Sequence, residues 1–453
     1  MRNIGILLTV SLINFGCVTT QQVYYAAPSE LSATQRQMKT PGFWIARHPS
    51  PDLIIMNAQE IIQFNRHVQN DLKLTKDLLD LPAEFSGDEL VKEWNDAINK
   101  FKIQSLYAAN GRHPEGAFWD EVRTKMTKVQ MPEKVTPAYG FIVHYADQRL
   151  LPTREGLYAK PGDIDFDELQ NSTLDVGTPV AVLSSRSDGQ WYYVEAPLSA
   201  GWVEKDKITL TDRVKVEDDL NDKDFVVVTK AKADIFLNQE MTEYYDYARM
   251  GSKFRIGEGT YDNGTVSVWV PTQAQDRLLI FKEGFMKQDD VHQGYLSYTP
   301  RTMIEQAFEL LNEPYGWGGM YGEQDCSAFL DEIFSTAGIV LPRNSADQRK
   351  SGVVLAQFND ETDQEKLAML KKAVGGVTLL GMKGHILLYL GVVNDRPYAI
   401  HSVWAYREPG GKVDRIRVIN RVAVSDLFLG EGSKNGSLLK RLKEVVFVSN
   451  VKS

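Results

Sequence analysis

Cys326 lies in the run Gln324-Asp325-Cys326-Ser327-Ala328-Phe329. Apolar positions Phe329, Ile333 and Ala337 then recur every four residues, with Leu330 and Phe334 beside them, so the spacing predicts a helix that begins close to Cys326 and ends at Gly338. A thiol at a helix N-terminus sits at the positive end of the dipole, which lowers its pKa and favours the reactive thiolate. The free amides of the first turn can stabilise a developing oxyanion. A nucleophile also needs a base. His385 opens the apolar run Gly384 to Gly391, and His401 lies in a second one, Ala399-Ile400-His401-Ser402-Val403. Two adjacent antiparallel strands would set these histidines side by side, one as base and one as its orienting partner. Spacing alone also allows a buried thiol and two satisfied core histidines. Upstream, Pro314-Tyr315-Gly316-Trp317-Gly318-Gly319 supplies glycines that let backbone approach a substrate closely.

These residues must be positioned by a C-terminal segment, 298–453, whose order is helices first and sheet after, an α+β arrangement. Thr299-Pro300 starts its first helix as N-cap and first-turn proline, with Ile304, Ala307, Phe308 and Leu311 as the buried stripe. Ahead of it, the period shortens to two. Strands around Val180-Val182, Trp191-Tyr192-Tyr193-Val194 and Gly201-Trp202-Val203, with an Asp188-Gly189 turn, suggest a small barrel over 137–212. A second barrel is expected over 222–290, with its turn signal at Asn263-Gly264; both resemble bacterial SH3-like domains. Residues 41–135 read as a helical N-terminal domain. Asn57-Ala58-Gln59-Glu60 is a capping-box sequence, and Ser86-Gly87-Asp88-Glu89 repeats the signal before the face Leu90, Trp94, Ala97, Ile98 and Phe101. Residues 18–40 are polar and aperiodic, a linker.

A chain of 453 residues needs several cores. Its net charge of −9 argues against nucleic acid as partner. Residues 1–17 combine Arg2 with an apolar stretch from Ile4 to Ile13, the pattern of an export signal rather than a bilayer span of about 18 residues or more. The only other cysteine, Cys17, follows Gly16 and resembles a lipoprotein processing site, although Asn14 stands where that motif usually has an aliphatic residue. The alternative is cleavage further on, with Cys17 discarded. Exported chains of this kind are placed in the cell envelope or periplasm, touching the membrane only through a lipid anchor. With two cysteines no disulfide framework is expected, and seven histidines without ligand spacing suggest no metal and no cofactor.

Tyr-Gly-Trp-Gly-Gly, Asp-Cys-Ser-Ala-Phe, Gly-His-Ile and Ile-His-Ser, in this order, resemble the NlpC family of bacterial cell-wall cysteine peptidases, and the Gly294-to-Thr299 lead-in resembles members that carry two SH3-like domains. The resemblance implies a multidomain chain: helical N-terminal domain, two SH3-like β-barrels, and an α+β, papain-like catalytic domain. It implies Cys326 as nucleophile, His385 as general base and His401 as the orienting residue. Tyr315 matches a tyrosine near the oxyanion site and Trp317 a wall of the groove, where loop packing is the plainer reading. Asp325 and Ser327 match residues that hold the free amino group of a terminal L-alanine, and Asp325 equally suits a helix N-cap. Arg343 and Ser345 match residues that contact substrate carboxylates, although an arginine after a helix is commonly just solvated. The implied reaction is hydrolysis of the γ-D-glutamyl–diamino acid bond of peptidoglycan stem peptides, by a monomer acting on short peptides. An aromatic of the first barrel, Tyr192 or Tyr193, would line the cleft. Rival readings are a wall-binding protein with a vestigial catalytic domain and an N-acetylmuramoyl-L-alanine amidase.

Overall fold

Two patterns of burial organise the chain, and they cut across its order in sequence. The computed structural model describes residues 23–127, 131–258 and 264–450. The leader with Cys17, residues 18–22 and Asn263 of the expected turn lie outside the described residues.

The C-terminal region is built on a seven-stranded sheet. Its order is Tyr24–Ala26, Arg415–Asp426, Arg396–Glu408, His385–Val393, Thr378–Met382, Glu444–Phe447 and Val353–Gln357. All neighbours are antiparallel except the first pair. Helices Pro300–Glu309 and Cys326–Ser335 cover one face, and their apolar stripes meet Leu379, Ile386, Leu388 and Ile400 of the sheet. The predicted Thr299 cap and Pro300 first turn are both present, and Gly338 ends the second helix region with φ 77°.

The expected linker behaves differently. Tyr24–Ala26 adds a parallel edge strand to this sheet, Met38 is buried, and the Tyr398 hydroxyl donates to the carbonyl of Ala33. Three residues of strand carry too little periodicity to be read from sequence.

The expected helical domain over 41–135 is divided between two cores. Helix Pro41–Ile45 and the capping-box helix Ala58–Arg66 send Phe43, Trp44, Ile61 and Phe64 into the same core as Phe329 and Ile333 of the Cys326 helix. Helices Gly87–Lys102 and Gly116–Thr127 instead pack Leu90, Trp94, Ile98 and Trp119 against Leu169, Leu183, Trp191 and Trp202 of the first barrel. Local caps and faces were legible; which partner each face would find was not.

That first barrel is a seven-stranded antiparallel sheet in the order Ile208–Thr211, Ala138–Ile142, Pro179–Ser185, Trp191–Glu195, Ala200–Glu204, Ala146–Arg149 and Gln170–Leu174. Gly189 takes the positive φ of 68° that the Asp188-Gly189 turn requires. The following region forms a three-stranded and a four-stranded sheet between Phe225 and Gln293, around Val226, Ile235, Ala248, Val268 and Met286.

Candidate active site

The helix Cys326–Ser335 starts where the sequence places it, and Asp325 is its N-cap. Oδ1 of Asp325 accepts from the amides of Ser327 (3.0 Å) and Ala328 (2.9 Å) and from the Ser327 hydroxyl (2.9 Å). Oδ2 accepts from the Gly318 amide at 3.2 Å. Arg343 adds Nη1 to Oδ1 at 3.2 Å and Nη2 to Oδ2 at 2.9 Å. Six donors therefore meet a carboxylate with about four lone-pair sites. Burial pushes the Asp325 pKa up, but Arg343 and the cap donors outweigh it and hold the group below its usual value. Arg343 is not solvated: its Nε donates to Ser172 of the first barrel at 2.9 Å, and Nη1 also reaches the Ser327 hydroxyl at 3.1 Å. Ser345 opens the short helix Ser345–Gln348, partly buried and apart from this cluster.

Cys326 is 8% exposed. Burial first, then the negative Asp325 beside it, pushes the thiol up to about 12, while the Ile386 amide N–H aimed at the sulfur works the other way. The depressed pKa expected from the helix dipole is thus overridden by desolvation. The antiparallel strands His385–Val393 and Arg396–Glu408 bring the histidines together as expected, with His385 Nε2 2.7 Å from His401 Nδ1. Burial, and then the positive charge of Arg441, pushes His385 down to about 3. Fully buried His401 contacts the Ser425 hydroxyl through Nε2 at 2.9 Å.

The glycine loop is shaped by the barrel. Gly318 and Gly319 have φ of 60° and 89°, where a side chain is strained. A Cβ on Gly318 would sit 2.9 Å from the Gln170 side chain, and one on Gly319 would overlap the Thr173 hydroxyl. Both neighbours belong to the barrel strand Gln170–Leu174. Tyr145 fixes the loop further by donating to the Gly319 carbonyl at 2.9 Å. Asn312, before the motif, adopts φ 76°, the left-handed conformation that asparagine tolerates.

A cleft of about 330 Å³ opens over His385 and His401, with Tyr315 and Trp317 on its wall. The barrel aromatic on this wall is Phe166, 5.5 Å from Trp317 and 4.9 Å from Trp404, ring centre to ring centre. Tyr24 of the N-terminal strand packs edge-on against Trp404. Tyr193 is in the barrel core, bonded to Glu93, and Tyr192 faces a separate groove with Lys205 and Gln190.

Residues 312–406, which contain Cys326, His385 and His401, match the NlpC/P60 family model. They are an NlpC/P60 domain. The family is one of cysteine peptidases. Residues 157–204 match the SH3 domain model of SH3b1 type, so the chain joins an SH3b domain to the NlpC/P60 domain. The chain is similar to two proteins named gamma-D-glutamyl-L-lysine dipeptidyl-peptidase. It is 37% identical over 75 residues to that of Bacillus subtilis, covering 16% of this chain and 25% of the relative. It is 26% identical over 212 residues to that of Bacillus cereus, covering 46% and 57%. The matches therefore span a quarter and just over half of these relatives. In fold, the chain is similar to an NlpC/P60 endopeptidase from Photobacterium damselae, with TM-score 0.74, 20% identity, and coverage of 94% and 97%.

Sequence reasoning does not single out Phe166, Trp404, Arg407, Ser425 or Arg441, which form the cleft or support it. Phe166 is an aromatic in the acidic run Asp163-Ile164-Asp165-Phe166-Asp167, a signal that could have been noticed. Strand register brings Ser425 of Arg415–Asp426 to His401, and Arg441 reaches the cleft from the short helix Leu438–Arg441.

Proposed function

We propose that the chain is a cysteine endopeptidase that cuts the γ-D-glutamyl–diamino acid bond of peptidoglycan stem peptides, with the NlpC/P60 domain doing the chemistry. The observation that carries this reading is the line His385–His401–Ser425 at a cleft with an SH3b residue in its wall, with the amide of Ile386, next to His385 in the chain, directed at the Cys326 sulfur. His385 spends Nε2 on His401, so Nδ1 remains for the thiol. In attack, Nδ1 takes the Cys326 proton, the sulfur forms a thioester with the γ-carbonyl carbon, and the imidazolium protonates the departing amine. Water, deprotonated by the same nitrogen, then releases the acid and restores the thiol.

A free N-terminal L-alanine and short peptides form the finer part of the proposal. The support is that Phe166, wedged between Trp317 and Trp404, narrows the cleft beside Tyr315. Asp325, occupied by Arg343 and its cap, would share rather than devote its charge to a substrate ammonium. The strands between Phe225 and Gln293 are read as a second SH3-like barrel. Export and anchoring through Cys17 rest on the sequence of the leader alone.

The test is mass spectrometry of products from L-Ala-γ-D-Glu-diaminopimelate with the intact protein and with Cys326→Ala. Release of L-Ala-D-Glu by the first and not the second supports the reading; an inert peptide with native Cys326 overturns it. If the N-acetylated tripeptide is cut equally well, the free-amine requirement fails while the bond assignment stands.

A further inference from the structure

The chain carries a net charge of −9, yet the cleft over His385 is lined by two arginines, Arg407 and Arg441, and by no aspartate or glutamate. The arginines come from different elements, the strand Arg396–Glu408 and the helix Leu438–Arg441. Both are partly buried. Among the described residues, neither guanidinium has an ion-pair or hydrogen-bond partner, although neighbouring Arg415 and Arg417 both engage Glu408. Burial pushes the Arg441 pKa down. A partly desolvated guanidinium with its five donors unused is costly unless a ligand supplies the acceptor. Carboxylate is the acceptor that matches its planar fork.

The chemistry fixes which part of the substrate lies there. His385 must protonate the leaving amine, so the leaving residue sits beside its imidazole. Arg441 lines the same cleft as His385, and its positive charge pushes the pKa of that ring down. Resting on the proposed peptidase reading, we infer that Arg441, with Arg407, binds a carboxylate of the departing diamino acid. That carboxylate has two sources. Diaminopimelate carries one at the end of its side chain where lysine has none, and either residue carries a main-chain carboxylate when it ends the peptide.

Three tripeptides, L-Ala-γ-D-Glu followed by diaminopimelate, by lysine or by lysine amide, separate these sources. If the side-chain carboxylate is read, diaminopimelate exceeds both lysine peptides in kcat/KM by about tenfold or more, the yield of one charge-assisted pair. If the main-chain carboxylate is read, diaminopimelate and lysine are alike and the amide falls behind. Either pattern supports carboxylate recognition, provided Arg441→Gln collapses the difference and Arg441→Lys restores part of it. Equal rates on all three peptides, or a preference untouched by both Arg441→Gln and Arg407→Gln, overturn the inference while the peptidase reading survives. No cleavage of any peptide overturns the peptidase reading instead. A thermal melt of each variant shows that it is folded.

Discussion

At the scale of single residues, Cys326 and His385 rest uncharged. The Cys326 thiol is pushed up to about 12 and the His385 imidazole down to about 3, both chiefly by burial, so the pair prefers thiol and neutral imidazole at neutral pH. In the proposed mechanism the proton then moves during attack. Iodoacetamide labelling of Cys326 should accordingly keep rising with pH from 6 to 9, because below its pKa the thiolate fraction grows about tenfold per unit. A labelling rate already flat below pH 7 would show a resting thiolate and overturn this description. The proposed role of His385 as base for the thiol fixes the tautomers. His385 must carry its proton on Nε2 and donate to His401 Nδ1, and His401 must then donate from Nε2 to Ser425. Ser425 is thus a positioning residue. Ser425→Ala leaves a fully buried N–H without an acceptor and frees the wrong tautomers. We expect kcat to fall roughly tenfold or more, within the ~10²–10⁴ a general base supplies, with KM little changed and Ser425→Thr retaining most activity. An equal change in KM, or no rescue by threonine, would point to distortion instead.

At the scale of elements, the glycine loop records the approach of a neighbouring domain. Gly318 and Gly319 leave room for the strand Gln170–Leu174 that lies against them. Gly319→Ala meets two obstacles, a φ of 89° and the Thr173 hydroxyl. The backbone part alone is worth about 1–2 kcal/mol. The variant should lower the Tm and kcat together, and adding Thr173→Ala should recover the steric part but not the backbone part. If the double variant is no better than the single one, the loop is not shaped by the barrel. This contact also marks the limit of what sequence shows. The helix start at Cys326, the caps at Asn57 and Thr299, and the neighbouring histidine strands follow from period and capping chemistry, which act within a few residues. The docking of Gly87–Lys102 on the barrel, the strand Tyr24–Ala26, Phe166 in the cleft and Ser425 behind His401 depend on pairings across scores of residues. Local periodicity carries none of that information. The thiol's raised pKa escapes the sequence for the same reason: the helix dipole is local, whereas burial is a property of the assembled core.

At the scale of the whole molecule, a buried charged joint ties the two β regions to the Cys326 helix. Arg249, 7% exposed, comes from the second β region. It reaches Asp175 of the first barrel region through Nε at 3.0 Å and Nη2 at 2.7 Å, and Glu332 of the Cys326 helix through Nη1 at 3.2 Å. Glu332 is only 6% exposed, and one of its oxygens lacks a partner among the described residues. Burial pushes its pKa up to about 8. Asp175 and Asp331 add to that, and the attraction of Arg249 and Arg343 does not overcome it. The 3.2 Å contact looks like an ion pair, but Asp175 already balances the Arg249 charge, so a protonated Glu332 accounts better for both observations. Asp331, facing the same cavity of about 190 Å³, is raised to about 7, again first by burial. The consequence for stability has a definite sign. An unfolded glutamate titrates at about 4.3, so between that pH and 8 the folded chain holds a proton that the unfolded chain has released. Stability from this group is fully present below the unfolded pKa and is lost as pH rises through 8, by at most about 1.4 kcal/mol per unit. Glu332→Gln keeps the neutral form at every pH. Calorimetry from pH 5 to 8 should therefore show the variant's Tm gaining on that of the native chain as pH rises, and Asp331→Asn should do the same over a window ending near 7. Parallel Tm curves for the native chain and Glu332→Gln would mean that Glu332 is ionised against Arg249 throughout, and that the joint is held by a charged triad.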